Sequence, residues 1–259
     1  MTRVLITGST DGIGLRTAQL LASGGAEVVI HGRDGDRVAD AVATVGEPAV
    51  AGLVSDFADL DQVADLAAQL GPLGIDAVVN NAGVYCRERE TTVDGHETMW
   101  QVNHLAPTLL TELLLPTLPP GARVVSISSS IHQRGEIDLE DPDYEQRRWH
   151  HFKAHAATKL AALQMTRQWA VRYPDQVFLA VHPGIVETKL LREGMKVPGK
   201  DSLDEGAATS VYAVTAPDLI SGSYLAHEAP AQPCPNALDD EAAAALYAAS
   251  VRALGLTGN

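Results

Sequence analysis

Three glycines near the start of the chain are spaced to do chemistry on an anion. In Thr7-Gly8-Ser9-Thr10-Asp11-Gly12-Ile13-Gly14 they follow the apolar run Val4-Leu5-Ile6 and lead into the helical pattern LRTAQLLASGG. A strand, a glycine loop and a helix N-terminus together offer backbone N–H groups and a partial positive charge to a phosphate. The spacing Gly8-x3-Gly12-x-Gly14 departs from the common dinucleotide pattern G-x-G-x-x-G, and a plain tight turn would use the same glycines. What decides between the two is the company the loop keeps.

The elements that position it can be read in order. Apolar, β-branched runs predict strands at 27–30, 49–54, 75–79, 123–128, 177–181 and 222–226, which with the first makes seven. Helical patterns fall between them: one capped by Asp34, then 60–70, 95–115, 150–172 and 204–214, and a last alanine-rich helix after Asp239-Asp240-Glu241. The segment 130–149 has no periodicity and reads as loop, and 190–204, with Gly194, Pro198 and Gly199, reads as a candidate lid. Alternation of strands and helices predicts an α/β fold, a doubly wound, mostly parallel sheet with helices on both faces, in one domain over 1–259. Ligands of such sheets sit beyond the carboxyl ends of the strands. Those ends carry Thr7-Gly8, Gly32-Arg33, Asp56-Phe57, Asn80-Asn81-Ala82-Gly83, Ser128-Ser129 and Pro183-Gly184, a polar, glycine-rich rim that stability alone does not demand.

Composition narrows the partners. With 46% apolar and 20% charged residues the 259-residue chain is globular, and a net charge of −14 argues against nucleic acid or an anionic membrane. No apolar run approaches a membrane span. The first strand starts too early to follow a signal peptide, and the isolated Cys86 and Cys234 fit reduced thiols, so a cytoplasmic protein acting on a small molecule is expected, without a metal.

Taken together, Thr7-Gly8-x3-Gly12-Ile13-Gly14, Asn80-Asn81-Ala82-Gly83, Asn103, Ser129, Lys159 and Pro183-Gly184 with Thr188 resemble the short-chain dehydrogenase/reductase family over essentially the whole chain. VNHLAPTLL, SISSSIHQRG and HPGIVETKL are most similar to its retinol-dehydrogenase-like branch, whose membrane anchor has no counterpart here. The resemblance implies a Rossmann-type three-layer sandwich and a nicotinamide nucleotide. It places Gly8, Ser9, Asp11, Gly12, Ile13 and Gly14 at the pyrophosphate, Asp56 and Phe57 at the adenine, and Asn81, Ala82 and Gly83 on the adenosine side. It places Pro183, Gly184, Ile185 and Thr188 at the carboxamide, and Lys159 at the nicotinamide ribose. Ser129 would orient the substrate oxygen and Asn103 would hold a relay water. A homodimer or homotetramer is also implied, through the helices carrying Asn103 and Lys159.

The nucleotide can be argued physically. NAD sites place a carboxylate at the end of the second strand. Here Gly32 stands there, and Arg33 follows as a forked donor, with Ser9 and Arg37 nearby, so NADP is expected. The family pattern breaks at one position. Its acid/base is a tyrosine four residues before the lysine, and AHAATKLA puts His155 in that slot. Tyr144, in the loop, and Tyr85, after the Asn80–Gly83 turn, are more distant rivals. Lys159, one turn along, disfavours the imidazolium, so His155 is expected to be neutral and a better base than acid. Pro107 leaves the Asn103 carbonyl without its helical donor, which predicts a fixed water site there.

The expected function is NADP-dependent interconversion of a secondary alcohol and a ketone, with Ser129, His155, Lys159 and Asn103 as the catalytic set. The alternatives are a non-redox isomerase, dehydratase or cyclase on the same scaffold, and a non-catalytic NADP-binding protein.

Overall fold

The computed structural model of the chain describes residues 2–256. Eight strands form one sheet: β1 (Arg3–Ile6), β2 (Glu27–Gly32), β3 (Ala49–Val54), β4 (Ala77–Asn80), β5 (Arg123–Ile127), β6 (Val177–His182), β7 (Ser223–Ala226) and β8 (Ala229–Pro230). Their order is β3-β2-β1-β4-β5-β6-β7-β8, parallel throughout except for β8. The order reverses between β1 and β4, which opens a crevice at the carboxyl ends of those strands.

The strands read as continuous apolar runs because both faces of the sheet are covered. Residues alternate between two cores. Leu5, Val29, Val78, Val124 and Phe178 pack on one face, and Val4, Ile6, Val28, Ile30 and Val79 on the other. The second face is covered by α1 (Gly12–Ser23), α2 (Gly35–Val45) and α6 (Leu203–Thr215). The first is covered by α3 (Leu60–Leu70), α4 (98–114), α5 (His151–Arg172) and α7 (Asp240–Ala253). Asp34 caps α2 by accepting from Arg37 N–H, as the sequence predicts.

Two departures matter. The expected seven strands are eight, because the chain after β7 turns back at His227 and Glu228, both with positive φ (50° and 56°). Two such residues make the tight hairpin turn that normally signals itself as Asn-Gly, and here it carries neither residue. The second departure is in α4, which begins at Thr98 rather than near Gly95. It runs as an α-helical turn (Thr98–Trp100), a π-helical turn (Gln101–Leu105) and an α-helix (Ala106–Leu114). Ala106 N–H reaches the Gln101 carbonyl, one residue further back than an α-helix allows. Pro107 has no N–H for the Asn103 carbonyl, and the widened turn is built around that gap.

Candidate active site

The glycine loop is a cradle that side chains would fill. Gly8 and Gly12 take positive φ (62° and 55°), a conformation glycine adopts at no steric cost. A Cβ on Gly14 would collide with the Asn81 amide and the Gly8 carbonyl. A Cβ on Gly8 would lie 2.9 Å from Ala82 Cα, so the turns after β1 and β4 touch. Asp11 caps α1, accepting from Gly12 N–H at 2.7 Å, and pairs with Arg37 at 3.1 Å. Arg33 is exposed. Gly32 beside it is crowded: a Cβ there would lie 2.5 Å from Thr10 Cγ2.

Two residues expected at the nucleotide spend their polar groups internally. Ser9 is fully buried, its hydroxyl donating to the Ile6 carbonyl (2.7 Å) and accepting from His31 N–H (3.0 Å). The Asn81 amide donates to the carbonyls of Thr7 (2.7 Å) and Gly8 (3.1 Å), bracing the loop. Phe57 is buried with its ring 4.9 Å from that of His31, leaving half-buried Asp56 as the polar group of that turn. Thr188 is brought across to the loop, its methyl 3.6 Å from where a Gly12 Cβ would stand. The Ile185 N–H donates to the Asp201 carboxylate at 2.6 Å, folding the segment after Pro183-Gly184 back on itself.

The catalytic candidates lie at the end of β5, on α4 and on α5. Ser129 begins a 3₁₀ turn (Ser130–Arg134), its hydroxyl accepting from Ile131 N–H at 3.4 Å. Ser128 anchors the end of β5 to α5 by donating to the Lys159 carbonyl (2.8 Å). Lys159 Nζ donates to the Ile127 carbonyl (2.9 Å), and burial lowers the ammonium pKa to about 8. The Asn103 side chain holds Val84 at both its N–H (2.7 Å) and its carbonyl (3.0 Å) and also donates to Thr158 on α5 (3.4 Å). A cavity of about 20 Å³, room for one water, is lined by Asn80, Asn103, Pro107, Ser126 and Lys159.

His155 stands on α5 one turn before Lys159, only 4% exposed, and its Nδ1 is buried without a hydrogen-bond partner. Burial, and then the Lys159 charge, push its pKa down to about 3, so the ring is neutral. Tyr144 stays in the loop, buried, with Arg147 stacked 3.9 Å over its ring.

Residues that the sequence did not single out, His132, His31 and His151, lie beside these, together with the distant rival Tyr85. His132 Nδ1 donates to the Ser129 carbonyl (2.5 Å), and its Nε2 accepts from Cys234 N–H (3.1 Å), tying the Ser129 turn to the C-terminal segment. His31 Nδ1 accepts from Gly8 N–H (3.1 Å). Tyr85 reaches His151, on the first turn of α5. Among the described residues no cluster of His, Cys, Asp or Glu suits a metal, and no helix is long and apolar enough to cross a membrane.

Known proteins with the same pattern fall in one family. The sequence model of short chain dehydrogenases matches residues 2–196. A Streptomyces protein named "Putative daunorubicin C-13 ketoreductase DnrU" is 36% identical, over 98% of this chain and 93% of its own length. Human retinol dehydrogenase 13 is 32% identical, over 98% of this chain and 84% of its own. A crystal structure of an uncharacterised Mycobacterium paratuberculosis protein superposes with a TM-score of 0.86 at 31% identity, covering 99% of this chain and 94% of that one. The chain belongs to the short-chain dehydrogenase/reductase family.

Proposed function

We propose that the protein is an NADP-dependent oxidoreductase that interconverts a secondary alcohol and a ketone. The observation that carries this reading is the single rim joining the glycine cradle to the Ser129, His155 and Lys159 cluster, through the contacts of Gly8 with Ala82 and of Asn103 with Val84 and Thr158. The cradle fits a dinucleotide: its backbone amides and the N-terminus of α1 suit a pyrophosphate. When bound, the nicotinamide accepts or gives the hydride. The names of the relatives, a ketoreductase and a retinol dehydrogenase, support carbonyl–alcohol chemistry.

NADP is preferred over NAD because crowding by Thr10 keeps a carboxylate out of position 32, while exposed Arg33 offers a forked donor to a 2′-phosphate. Arg37, held by Asp11 at 3.1 Å, stands as a second donor. At the other end, Ser129 orients the substrate oxygen. Burial, reinforced by the Lys159 charge, keeps His155 neutral, and Asn103, Pro107 and Lys159 line a water-sized cavity suited to a proton relay. The proton that balances the hydride is exchanged in the pocket these groups line.

Loss of the NADPH absorbance during a screen of aliphatic and aromatic ketones tests the redox assignment. Turnover of substrate without that loss would instead mark an isomerase or dehydratase. NADPH binding with no turnover would mark a binding protein. Arg33→Glu raises the NADPH dissociation constant by roughly 30-fold, about 2 kcal/mol for charge-assisted contacts, and leaves NADH unchanged. Equal effects on the two nucleotides would remove the NADP preference.

A further inference from the structure

We propose that the hydroxyl of Tyr85, held by Nδ1 of His151, is the group that exchanges a proton with the substrate oxygen in this chain. The inference rests on the redox reading above and adds the atom that the slot at position 155 does not itself provide. An imidazole is shorter than a phenol by roughly 2 Å, which exceeds the tolerance of a proton-transfer hydrogen bond. His155 is moreover buried to 4% exposure. What lies against it is a phenol: the Tyr85 ring stands edge-on at 5.1 Å between centroids, inclined by 65°.

Every side of Tyr85 is fixed. Its backbone follows Val84, which the Asn103 amide grips at both N–H and carbonyl (2.7 and 3.0 Å). Its hydroxyl lies 2.6 Å from Nδ1 of His151, one turn before His155 on α5. Across the cleft, Gly194 of the candidate lid lies flat on it, and a Cβ there would stand 3.1 Å from Tyr85 Cβ. The phenol thus sits between the turn after β4, the first turns of α5 and the segment that carries Gly194. Burial of the ring raises the phenol pKa and lowers that of His151, whose charged form is further disfavoured by His150 and Arg87. Arg87 itself donates to the Gly194 carbonyl at 3.1 Å. Phenol and neutral imidazole therefore form a hydrogen-bonded acid–base pair.

The proton bookkeeping closes. In the oxidative direction the alcohol O–H bond breaks and its proton forms a new O–H bond on Tyr85. The original Tyr85 proton passes to Nδ1 of His151 and then to solvent, while the carbinol carbon gives up its hydrogen and two electrons as hydride to the oxidised nicotinamide of the proposed function. Reduction runs the same transfers backwards, with a protonated His151 restoring the Tyr85 proton. His151 acts through Tyr85 and is a positioning residue.

The test uses phenanthrenequinone and NADPH with wild-type protein, Tyr85→Phe, His151→Phe and His151→Asn. Tyr85→Phe keeps the ring, so folding, checked by thermal unfolding, and the NADPH dissociation constant stay within about twofold, while kcat falls roughly 100-fold. His151→Asn retains an acceptor without a titrating ring, so it keeps more of kcat than His151→Phe and flattens the acidic limb of the pH profile. A readout without nucleotide accompanies these. Alkaline titration at the tyrosinate band loses one of six tyrosines in Tyr85→Phe, and that ionisation shifts in His151→Phe. A Tyr85→Phe protein within about threefold of wild-type kcat and with an unchanged pH profile would overturn the assignment. So would a Tyr85 ionisation indifferent to His151. Wild-type protein that binds NADPH without consuming it fails the redox reading itself, a result distinct from wild-type turnover that survives in Tyr85→Phe.

Discussion

His31 and His155 are both buried imidazoles at the carboxyl edge of the sheet, each with one ring nitrogen lacking a partner, and they differ in what the rest of the residue holds. His31, 2% exposed, is wired to backbone: its Nδ1 accepts from Gly8 N–H, and its own N–H donates to the Ser9 hydroxyl. His155, 4% exposed, leaves Nδ1 without a partner and touches the Tyr85 ring. Burial depresses both, to about 4 and about 3. The difference teaches how the two halves of the rim work. In the nucleotide half a ring nitrogen of His31 and the Ser9 hydroxyl are committed to backbone and set the shape of a loop, while His31 Nε2 is left without a partner. In the substrate half the His155 ring packs instead on an aromatic neighbour, and its buried Nδ1 without a partner costs stability.

The sharpest way to break this comparison is to overfill the nucleotide half. Gly14→Val would drive a side chain into the Asn81 amide and the Gly8 carbonyl, so NADPH binding should vanish. The protein should lose about 3 kcal/mol, or roughly 5–10 °C in Tm. Normal NADPH affinity in this variant would show that the loop is not the cradle.

Acidification comes next. Both folded-state pKa values lie below the ordinary 6.5, so the unfolded chain takes up protons first. Stability is therefore full above about pH 6.5 and falls as pH drops toward the folded values, by about 1.4 kcal/mol per pH unit for each ring. Between pH 6.5 and about 5 each imidazole accounts for about 2 kcal/mol. Denaturant midpoints at the two pH values should therefore converge in His31→Leu and in His155→Leu. His104 and His182, pushed to about 3 and about 4, supply the slope that remains.

The smallest effect separates the halves. His31→Gln should weaken NADPH about fivefold, near 1 kcal/mol, and leave kcat alone. His155→Gln should lower kcat several-fold and leave the NADPH dissociation constant alone. Identical patterns in the two variants would dissolve the distinction.

Much of the nucleotide half was legible because its signals are local. The run Val4–Ile6, the glycines, Asp34 as a cap and α3 at Leu60–Leu70 are each written within a dozen residues. The gap at Asn103 was legible from Pro107, four residues on, although the shift into a π-helical turn was not, since several register changes relieve the same missing donor. β8 escaped because His227-Glu228 lacks the usual turn residues and pays for positive φ without glycine. The substrate half was less legible for a topological reason: Tyr85 and His151 are 66 residues apart, and His132 and Cys234 are 102 apart. No periodicity records such meetings. Only the packing of α5 against the turns after β4 and β5 creates them.

The eighth strand also decides how copies of this chain can misassemble. It is two residues long and ends in Pro230, which offers no N–H to an incoming strand. The opposite border, Ala49–Val54, is six residues long, has no proline, and leaves Val50 and Val54 exposed at 41% and 50%. Fibril growth or strand exchange through the sheet therefore has a polarity, with one blunt end and one adhesive end. A single lysine at Val50 is the economical guard against it.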